Sequence, residues 1–91
     1  MLKLKAPEIK KALARIPDWK KTNSSISRTY VFKDFPAAIR FVTKIAEMAE
    51  RASHHPDIDI RWNKVMLTLT THDECGLTTK DFKLARKFDL A

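Results

Sequence analysis

Apolar side chains recur at every third or fourth position in three segments of the chain, the spacing that places them on one face of a helix. In the longest segment, residues 35–53, charged side chains fall outside this stripe and Asp34 precedes it as an N-cap. A shorter segment starts near Pro7 and ends before Pro17, and the last follows a capping-box pattern that starts at Thr78. The sequence therefore predicts three helices.

Between the predicted helices the apolar residues alternate with polar ones, which is typical of half-buried strands. Residues 19–22 and 26–32 predict one hairpin, and residues 58–62 and 65–70 predict another. The predicted order is α-β-β-α-β-β-α. Because hairpins rather than long crossovers join the strands, we expect an α+β fold with a four-stranded antiparallel sheet and three helices packed on one face.

The second hairpin has a register that can be tested against the apolar pattern. If Asn63 and Lys64 form a two-residue loop, Trp62 faces Val65 and every bulky apolar residue except Met66 falls on one face. A slip of one residue would turn half of these side chains towards water. This register predicts that Trp62 is a core residue of the hairpin face.

The same register brings histidines together. The ring of Pro56 favours an extended conformation at His55 and should end the long helix at His54. Continued to the strand ends, the pairing places His72 opposite His55, where Cβ atoms of paired residues lie about 4.5 to 5.5 Å apart. Imidazole exchanges protons near neutral pH, so the cluster suggests proton transfer or metal binding.

Metal binding is the weaker interpretation of the three histidines. Three imidazoles can hold a catalytic zinc ion, but adjacent histidines are a less usual chelating geometry than one-turn spacing on a helix. No carboxylate or cysteine joins them in a recognised metal motif. We therefore expect proton-transfer chemistry with neither a metal nor a cofactor, and we keep metal binding as an alternative.

Length and composition limit the possible functions. The 91 residues fit one domain, residues 1–91. A single cysteine and the lack of a long apolar stretch predict a cytoplasmic protein that does not cross a membrane. The net charge is +7, but the basic residues are scattered and no aromatic-rich motif accompanies them. Nucleic acid is therefore not the expected partner.

The spacing of several polar and aromatic residues resembles the signature of one enzyme family, the pterin-4a-carbinolamine dehydratases. The residues that carry the resemblance are, in chain order, Glu50, His54, His55, Pro56, Trp62, His72 and Asp81. Neighbouring segments are similar as well, at residues 63–65, 71–75 and 76–78. The close match covers the C-terminal half, and the order of elements agrees with the family throughout.

The resemblance implies a 4a-hydroxytetrahydrobiopterin dehydratase, often a homo-oligomer, either a dimer or a tetramer. Such an enzyme removes water from a 4a-hydroxytetrahydropterin and returns a quinonoid dihydropterin, which recycles the pterin after aromatic amino acid hydroxylation. The reaction needs a proton donor to the leaving oxygen and a base for the proton on the adjacent ring nitrogen. Imidazole can do both near neutral pH.

The resemblance also suggests roles for individual residues. His54 and His72 are the expected proton-transfer pair, and His55 mainly positions the pterin. The residues expected to bind substrate are Pro56, which holds the turn, and Thr71, Asp73 and Glu74. One departure is Ile58, where many family members carry an aromatic side chain, so stacking at this position is not expected.

Two carboxylates have supporting roles with alternatives. Glu50 is either a helix-surface carboxylate or an orienting partner for a histidine. Asp81 either supports the site or only caps the last helix. A different class of function also remains open, because some proteins similar to this family act as partners of transcription factors. An accessory binding protein of the same fold is therefore the alternative to an enzyme.

Overall fold

The computed structural model describes residues 3–91, which form three helices and four strands. The elements, in chain order, are α1 (Ala6–Ala14), β1 (Lys20–Thr22), β2 (Ser25–Val31), α2 (Phe35–Ala52), β3 (Asp57–Arg61), β4 (Lys64–Leu69), a 3-10 turn (His72–Glu74) and α3 (Thr79–Asp89). The predicted α+β class and element order are confirmed.

Local signals define both ends of α2. The Asp34 carboxylate accepts a hydrogen bond from the backbone N–H of Ala37 at 2.9 Å, as an N-cap should. At the other end Ser53 is in the left-handed region with φ 51°, so the helix stops at Ala52, just ahead of Pro56. The predicted limits are therefore accurate to one residue.

The sheet has the strand order β1-β2-β4-β3, and every neighbouring pair is antiparallel. On the central strand β4 alternate side chains are buried, and on β2 Ile26 is buried. These side chains share one face with Ile58 and Ile60 of the edge strand β3. The core residues contributed by the central strands are Ile26, Val65, Leu67 and Leu69. The two edge isoleucines remain 39% and 37% exposed.

The register of the second hairpin differs from the prediction, because each residue of β3 faces a residue two positions earlier in the chain than expected. Asp57 lies opposite Thr68 rather than Thr70, and Arg61 opposite Lys64 closes the hairpin. A shift that moves pairs by two positions keeps each side chain on its predicted face, because the side-chain period of a strand is two. The predicted faces are therefore right although the predicted pairs are wrong.

The hairpin loop explains this shift. Trp62 and Asn63 form the loop, and Trp62 has a positive φ of 53° and is 70% exposed, so its prediction as a core residue is wrong. The backbone N–H of Phe32 donates to the Asn63 carbonyl, and the Asn63 amide donates to the Phe32 carbonyl, each at 2.8 Å. These two bonds hold Asn63 against the end of β2 and leave Trp62 at the tip.

The predicted pairing of His72 with His55 is also wrong. β3 begins at Asp57 and β4 ends at Leu69, so both histidines lie outside the paired strands. After β4 the chain turns back on itself because Thr71 forms an isolated bridge with Gly76, and the 3-10 turn lies within this loop. Any meeting of the histidines has to arise from tertiary packing, not from strand pairing.

Four side chains attach the end of α3 to the sheet. The carboxylate of Asp89 accepts hydrogen bonds from Trp19 Nε1 at 2.9 Å, Arg28 Nη1 at 2.7 Å and the Tyr30 hydroxyl at 2.6 Å. Burial, together with the hydrogen bond to Asp89, raises the pKa of the Tyr30 hydroxyl well above its ordinary value. We call these four residues the Asp89 cluster.

Candidate functional site

The end of α2 positions the first predicted site residue, His54. The left-handed turn at Ser53 is followed by a hydrogen bond from the His54 backbone N–H to the Ala49 carbonyl at 3.1 Å. The imidazole then lies against the start of α3, where its Nε2 is 2.5 Å from Asp81 Oδ1. The His54 side chain is only 11% exposed and that of Asp81 is fully buried.

Asp81 is held by donors on both of its carboxylate oxygens. Its Oδ2 accepts the Thr71 hydroxyl at 2.8 Å and the backbone N–H of Thr78 at 2.9 Å, and the two threonine hydroxyls are 2.9 Å apart. A buried carboxylate is costly unless such donors compensate its lost hydration. Its place in the first turn of α3 adds the favourable end of the helix dipole. We call these residues, with His54, the Asp81 cluster.

The cluster determines which nitrogen of His54 is available for chemistry. An ionised carboxylate only accepts hydrogen bonds, so the short contact assigns a proton to Nε2 of the ring. Nδ1 is then the remaining nitrogen, which accepts a proton when the ring is neutral and donates one when it is charged. Asp81 therefore contacts a histidine and also belongs to the capping box of α3.

The second histidine has a different environment. His55 Nε2 lies 2.9 Å from Glu50 Oε2, which fits the predicted role of Glu50 as a partner of a histidine. The side chains are 66% and 81% exposed, so water screens the pair. Exposed pairs of this kind contribute about 0 to 1 kcal/mol. The contact with Glu50 therefore fixes the His55 ring less than the buried contact with Asp81 fixes that of His54.

The third histidine lies on the 3-10 turn that directly follows Thr71. His72 and Asp73 are exposed and Glu74 is half-buried. Within residues 3–91 the His72 ring has neither a hydrogen bond nor an ion pair to another side chain. The structure links this turn to His54 through Thr71 and Asp81. Pro56 is half-buried ahead of β3.

Two threonines have roles that the sequence did not reveal. Thr78 was expected only to start a helix, and Thr71 was expected to bind substrate. The Thr71 backbone N–H donates to the Gly76 carbonyl at 3.0 Å, its carbonyl accepts from Gly76 and Glu74, and its hydroxyl donates to Asp81. The capping-box spacing from Thr78 to Asp81 was the one sequence signal for this network.

The structure also bears on the alternatives raised by the sequence. Across residues 3–91, no group of three or more histidine, cysteine, aspartate or glutamate side chains is arranged to hold a metal ion. In the same part of the chain, no helix has the length and apolar character needed to cross a membrane.

Comparison with known sequences gives a consistent result. The family described as pterin 4 alpha carbinolamine dehydratase matches residues 2–91. A protein of Chloroflexus aurantiacus is 56% identical over 89 residues, covering 98% of this chain and 96% of its own. One of Nocardia farcinica is 54% identical over 82 residues, covering 90% and 86%. Both carry the provisional name pterin-4-alpha-carbinolamine dehydratase.

Comparison with solved structures agrees. A transcriptional coactivator/pterin dehydratase from Brucella melitensis superposes with a TM-score of 0.93 at 38% identity, covering 97% of this chain and 96% of its own. A pterin dehydratase-like protein, identified as a RuBisCO assembly factor of the alpha-carboxysome, has a TM-score of 0.67. At 18% identity over 79% of this chain and 83% of its own, it shows a shared fold alone. The resemblance seen in the sequence is confirmed, and the chain belongs to the pterin 4 alpha carbinolamine dehydratase family.

Proposed function

We propose that this protein dehydrates a 4a-hydroxytetrahydropterin to the quinonoid dihydropterin by histidine acid-base catalysis, as a step in tetrahydropterin recycling. The family assignment supports the reaction class. The observation that carries the catalytic part is the contact between His54 and the buried Asp81. An imidazole held by a buried carboxylate has a fixed orientation and an assigned tautomer, which general acid-base catalysis needs.

The reaction requires two balanced proton transfers. The hydroxyl on the carbinolamine carbon gains a proton and leaves as water, while the adjacent ring nitrogen loses a proton and forms the new double bond. Nδ1 of His54 performs one transfer and the ring of His72 performs the other. Asp81 stabilises the charged His54 ring whenever Nδ1 holds a proton.

The remaining predicted residues bind and orient the substrate in this proposal. His55 and Pro56 hold one side of the pterin, and Asp73 and Glu74 contact it from the 3-10 turn. Thr71 has a different role from that expected, because its backbone and hydroxyl groups are bonded within the protein. We assign it to positioning Asp81.

The direct test is stopped-flow dehydration of a freshly generated carbinolamine, corrected for the spontaneous reaction. Positioned proton transfers contribute about 10²- to 10⁴-fold, so His54→Ala and His72→Ala should each lower kcat by that order. His55→Ala should chiefly raise KM. Lys10→Ala, which changes an exposed residue on α1, is the control and should leave kcat and KM unchanged.

Two results would contradict the proposal. If neither His54→Ala nor His72→Ala slows the corrected rate, imidazole does not perform the chemistry. If a chelator abolishes the activity and zinc restores it, the metal alternative replaces the acid-base mechanism.

We also propose that the protein works as a homo-oligomer. β3 is an edge strand whose Ile58 and Ile60 are more than one third exposed, and the neighbouring Trp62 is exposed as well. Exposed apolar side chains on a sheet edge favour pairing with another copy. Light scattering should give a mass at least twice that of one chain, and Ile60→Lys should lower it. A monomer at high concentration would contradict this.

One comparison supports a second candidate, an accessory binding role. The Brucella melitensis protein is described as both a transcriptional coactivator and a pterin dehydratase. An interaction role should survive replacement of His54, His55 and His72, whereas dehydration should not. A pull-down with the triple alanine variant, set beside its turnover, separates the two functions.

A further inference from the structure

Three lysines form a row beside the proposed catalytic histidine. Lys80, Lys83 and Lys87 are spaced by three and four residues on α3, which places their side chains on one face of the helix. Together with His54 and Leu84 they line a small cavity of about 120 Å³ at the end of α2. A row of positive charges therefore leads away from the imidazole along α3.

The side chains of these three lysines have no bonding partner in the part of the chain that the structure describes. Among the ion pairs and side-chain hydrogen bonds of residues 3–91, none involves the ammonium group of Lys80, Lys83 or Lys87. Like charges spaced by three or four residues destabilise a helix, and a cation in the first turn, where Lys80 lies, opposes the helix dipole. The dipole favours Lys87 in the last turn, but helix stability does not account for Lys80 and Lys83.

We propose that the lysine row is a subsite for an anionic group on the side chain of the pterin substrate. This inference rests on the proposed function, since it extends the same site. The cavity is below the roughly 300 Å³ of usual small-molecule pockets, so it suits a terminal phosphate or carboxylate and not the fused ring. The ring then lies at His54, and its side chain follows α3 past Lys80 towards Lys87.

Phosphate and carboxylate are the groups that this chemistry recognises. An ammonium group is a compact charge that binds either anion from several directions. A pterin with a neutral side chain would have no use for three such groups in a row. Neither carboxylate of α3 pairs with the row, because Asp81 is bonded to His54 and Asp89 to side chains of β2 and the segment before β1. A pterin carbinolamine with an anionic side chain is therefore the substrate class that fits.

The test compares carbinolamines that differ only in side-chain charge: one with a neutral dihydroxypropyl group, the same group as a phosphate monoester, and one ending in a carboxylate. The anionic substrates should show a KM about tenfold lower at low ionic strength, with similar kcat. Added salt should reduce this preference, because the charges are exposed to solvent. The better of the two anionic substrates identifies the group that is recognised.

The matched variants have equal changes in net charge. Combined Lys80→Gln, Lys83→Gln and Lys87→Gln should bring the ratio of kcat/KM for the phosphorylated over the neutral substrate close to one. Control substitutions of exposed lysines elsewhere, Lys10→Gln, Lys20→Gln and Lys33→Gln, should leave the ratio as it is in the unmodified protein. Thermal melts verify that both triple variants are folded.

The failures of the two proposals can be distinguished. If the neutral carbinolamine is turned over but charge gives no advantage, the lysine subsite is wrong and the dehydratase proposal stands. The same holds if the charge advantage survives in the lysine variant. If no carbinolamine of any charge is turned over, the proposed function fails and the subsite fails with it.

Discussion

The two ends of α3 each bury a carboxylate, but they use it differently. Asp81, at the start of the helix, is fully buried among His54, Thr71 and the Thr78 backbone. Asp89, at its end, is 22% exposed and contacts three side chains of β2 and the segment before β1. Both carboxylates accept several hydrogen bonds. The number of hydrogen bonds alone therefore does not distinguish a carboxylate in a candidate functional site from one that only holds the fold together.

The difference lies in the donors. The indole of Trp19, the phenol of Tyr30 and the guanidinium of Arg28 keep their protons at neutral pH, and the guanidinium also lies 4.3 Å from the centre of the Tyr30 ring. The Asp89 cluster is therefore a fixed arrangement. In the Asp81 cluster one donor is an imidazole, whose two ring nitrogens allow it both to donate and to accept a proton.

The helix dipole strengthens this contrast. A negative charge is favoured at the start of α3, near Asp81, and disfavoured at its end, near Asp89. The ion pair from Arg28 Nη1 to Asp89 at 2.7 Å offsets that cost. Asp89 attaches the helix to the sheet, whereas Asp81 holds the imidazole that the proposed function makes reactive.

The largest expected effect comes from Asp81→Asn. An asparagine amide is uncharged and has a single accepting oxygen. It cannot replace both carboxylate oxygens, which accept from the His54 ring on one side and from Thr71 and Thr78 on the other. We expect kcat to fall by about 10²-fold or more, since His54 loses its orientation and its stabilising charge. The free energy of unfolding should also fall, by about 1 to 3 kcal/mol. Stopped-flow turnover and urea unfolding measure the two effects.

Asp89→Asn is the matched control for this variant, because it makes the same chemical change at the other end of the same helix. If both variants lose activity in proportion to stability, Asp81 acts only through folding. In that event the distinction between the two clusters would be wrong.

These two ends also show what the sequence can and cannot predict. Thr78 and Asp81 are three residues apart, so their capping box is visible as a local pattern. The contact between Asp81 and His54 crosses from α3 to α2, and it depends on packing that no local pattern specifies. Only the resemblance to a family led us to expect both residues in one site, and the structure places them in contact. The Asp89 cluster has no such signature and was not predicted.

The hairpin shows a similar limit. The period of two correctly predicted which strand residues face the helices, because that period survives a shift of pairs by two positions. The loop was misplaced by one residue, since the bonds from Asn63 to Phe32 come from a distant segment. The long helix, by contrast, was predicted almost fully because Asp34 and Pro56 act on neighbouring residues.

The next largest effect should come from Asp89→Asn itself. Hydrogen bonds to a charged acceptor contribute about 1.5 to 3 kcal/mol, and this carboxylate has several donors, so we expect a loss of about 2 kcal/mol in the free energy of unfolding. Turnover below the unfolding transition should stay within about threefold, since no step of the proposed mechanism uses Asp89. A loss of activity with unchanged stability would contradict the structural role.

A smaller and pH-dependent effect is expected for Tyr30→Phe. The lost hydroxyl should cost about 1 kcal/mol near neutral pH. The pKa of the Tyr30 hydroxyl is raised in the folded protein, so the unfolded chain releases this proton first, above its ordinary value of 10.0. The hydroxyl's contribution is therefore complete below about pH 10 and declines above it, by up to about 1.4 kcal/mol per pH unit.

Urea unfolding of the wild type and of Tyr30→Phe at several pH values measures this difference. Trp19→Phe is the control, because it removes a bond to the same carboxylate without removing a group that titrates. Its cost should remain constant where that of Tyr30→Phe decreases. Parallel pH profiles for the two variants would show that burial and Asp89 do not raise the pKa of the Tyr30 hydroxyl.

The smallest effect is expected for Glu50→Gln, which breaks the exposed counterpart of the His54 contact. His55 and Glu50 are close, but water surrounds both side chains, and exposed pairs contribute at most about 1 kcal/mol. We expect little change in stability and a rise in KM of about twofold, because His55 only positions the pterin in the proposed mechanism. A tenfold fall in kcat would instead show that an exposed carboxylate can orient a histidine as well as a buried one. Burial would then no longer be a reason to propose His54 and Asp81, rather than His55 and Glu50, as the reactive pair.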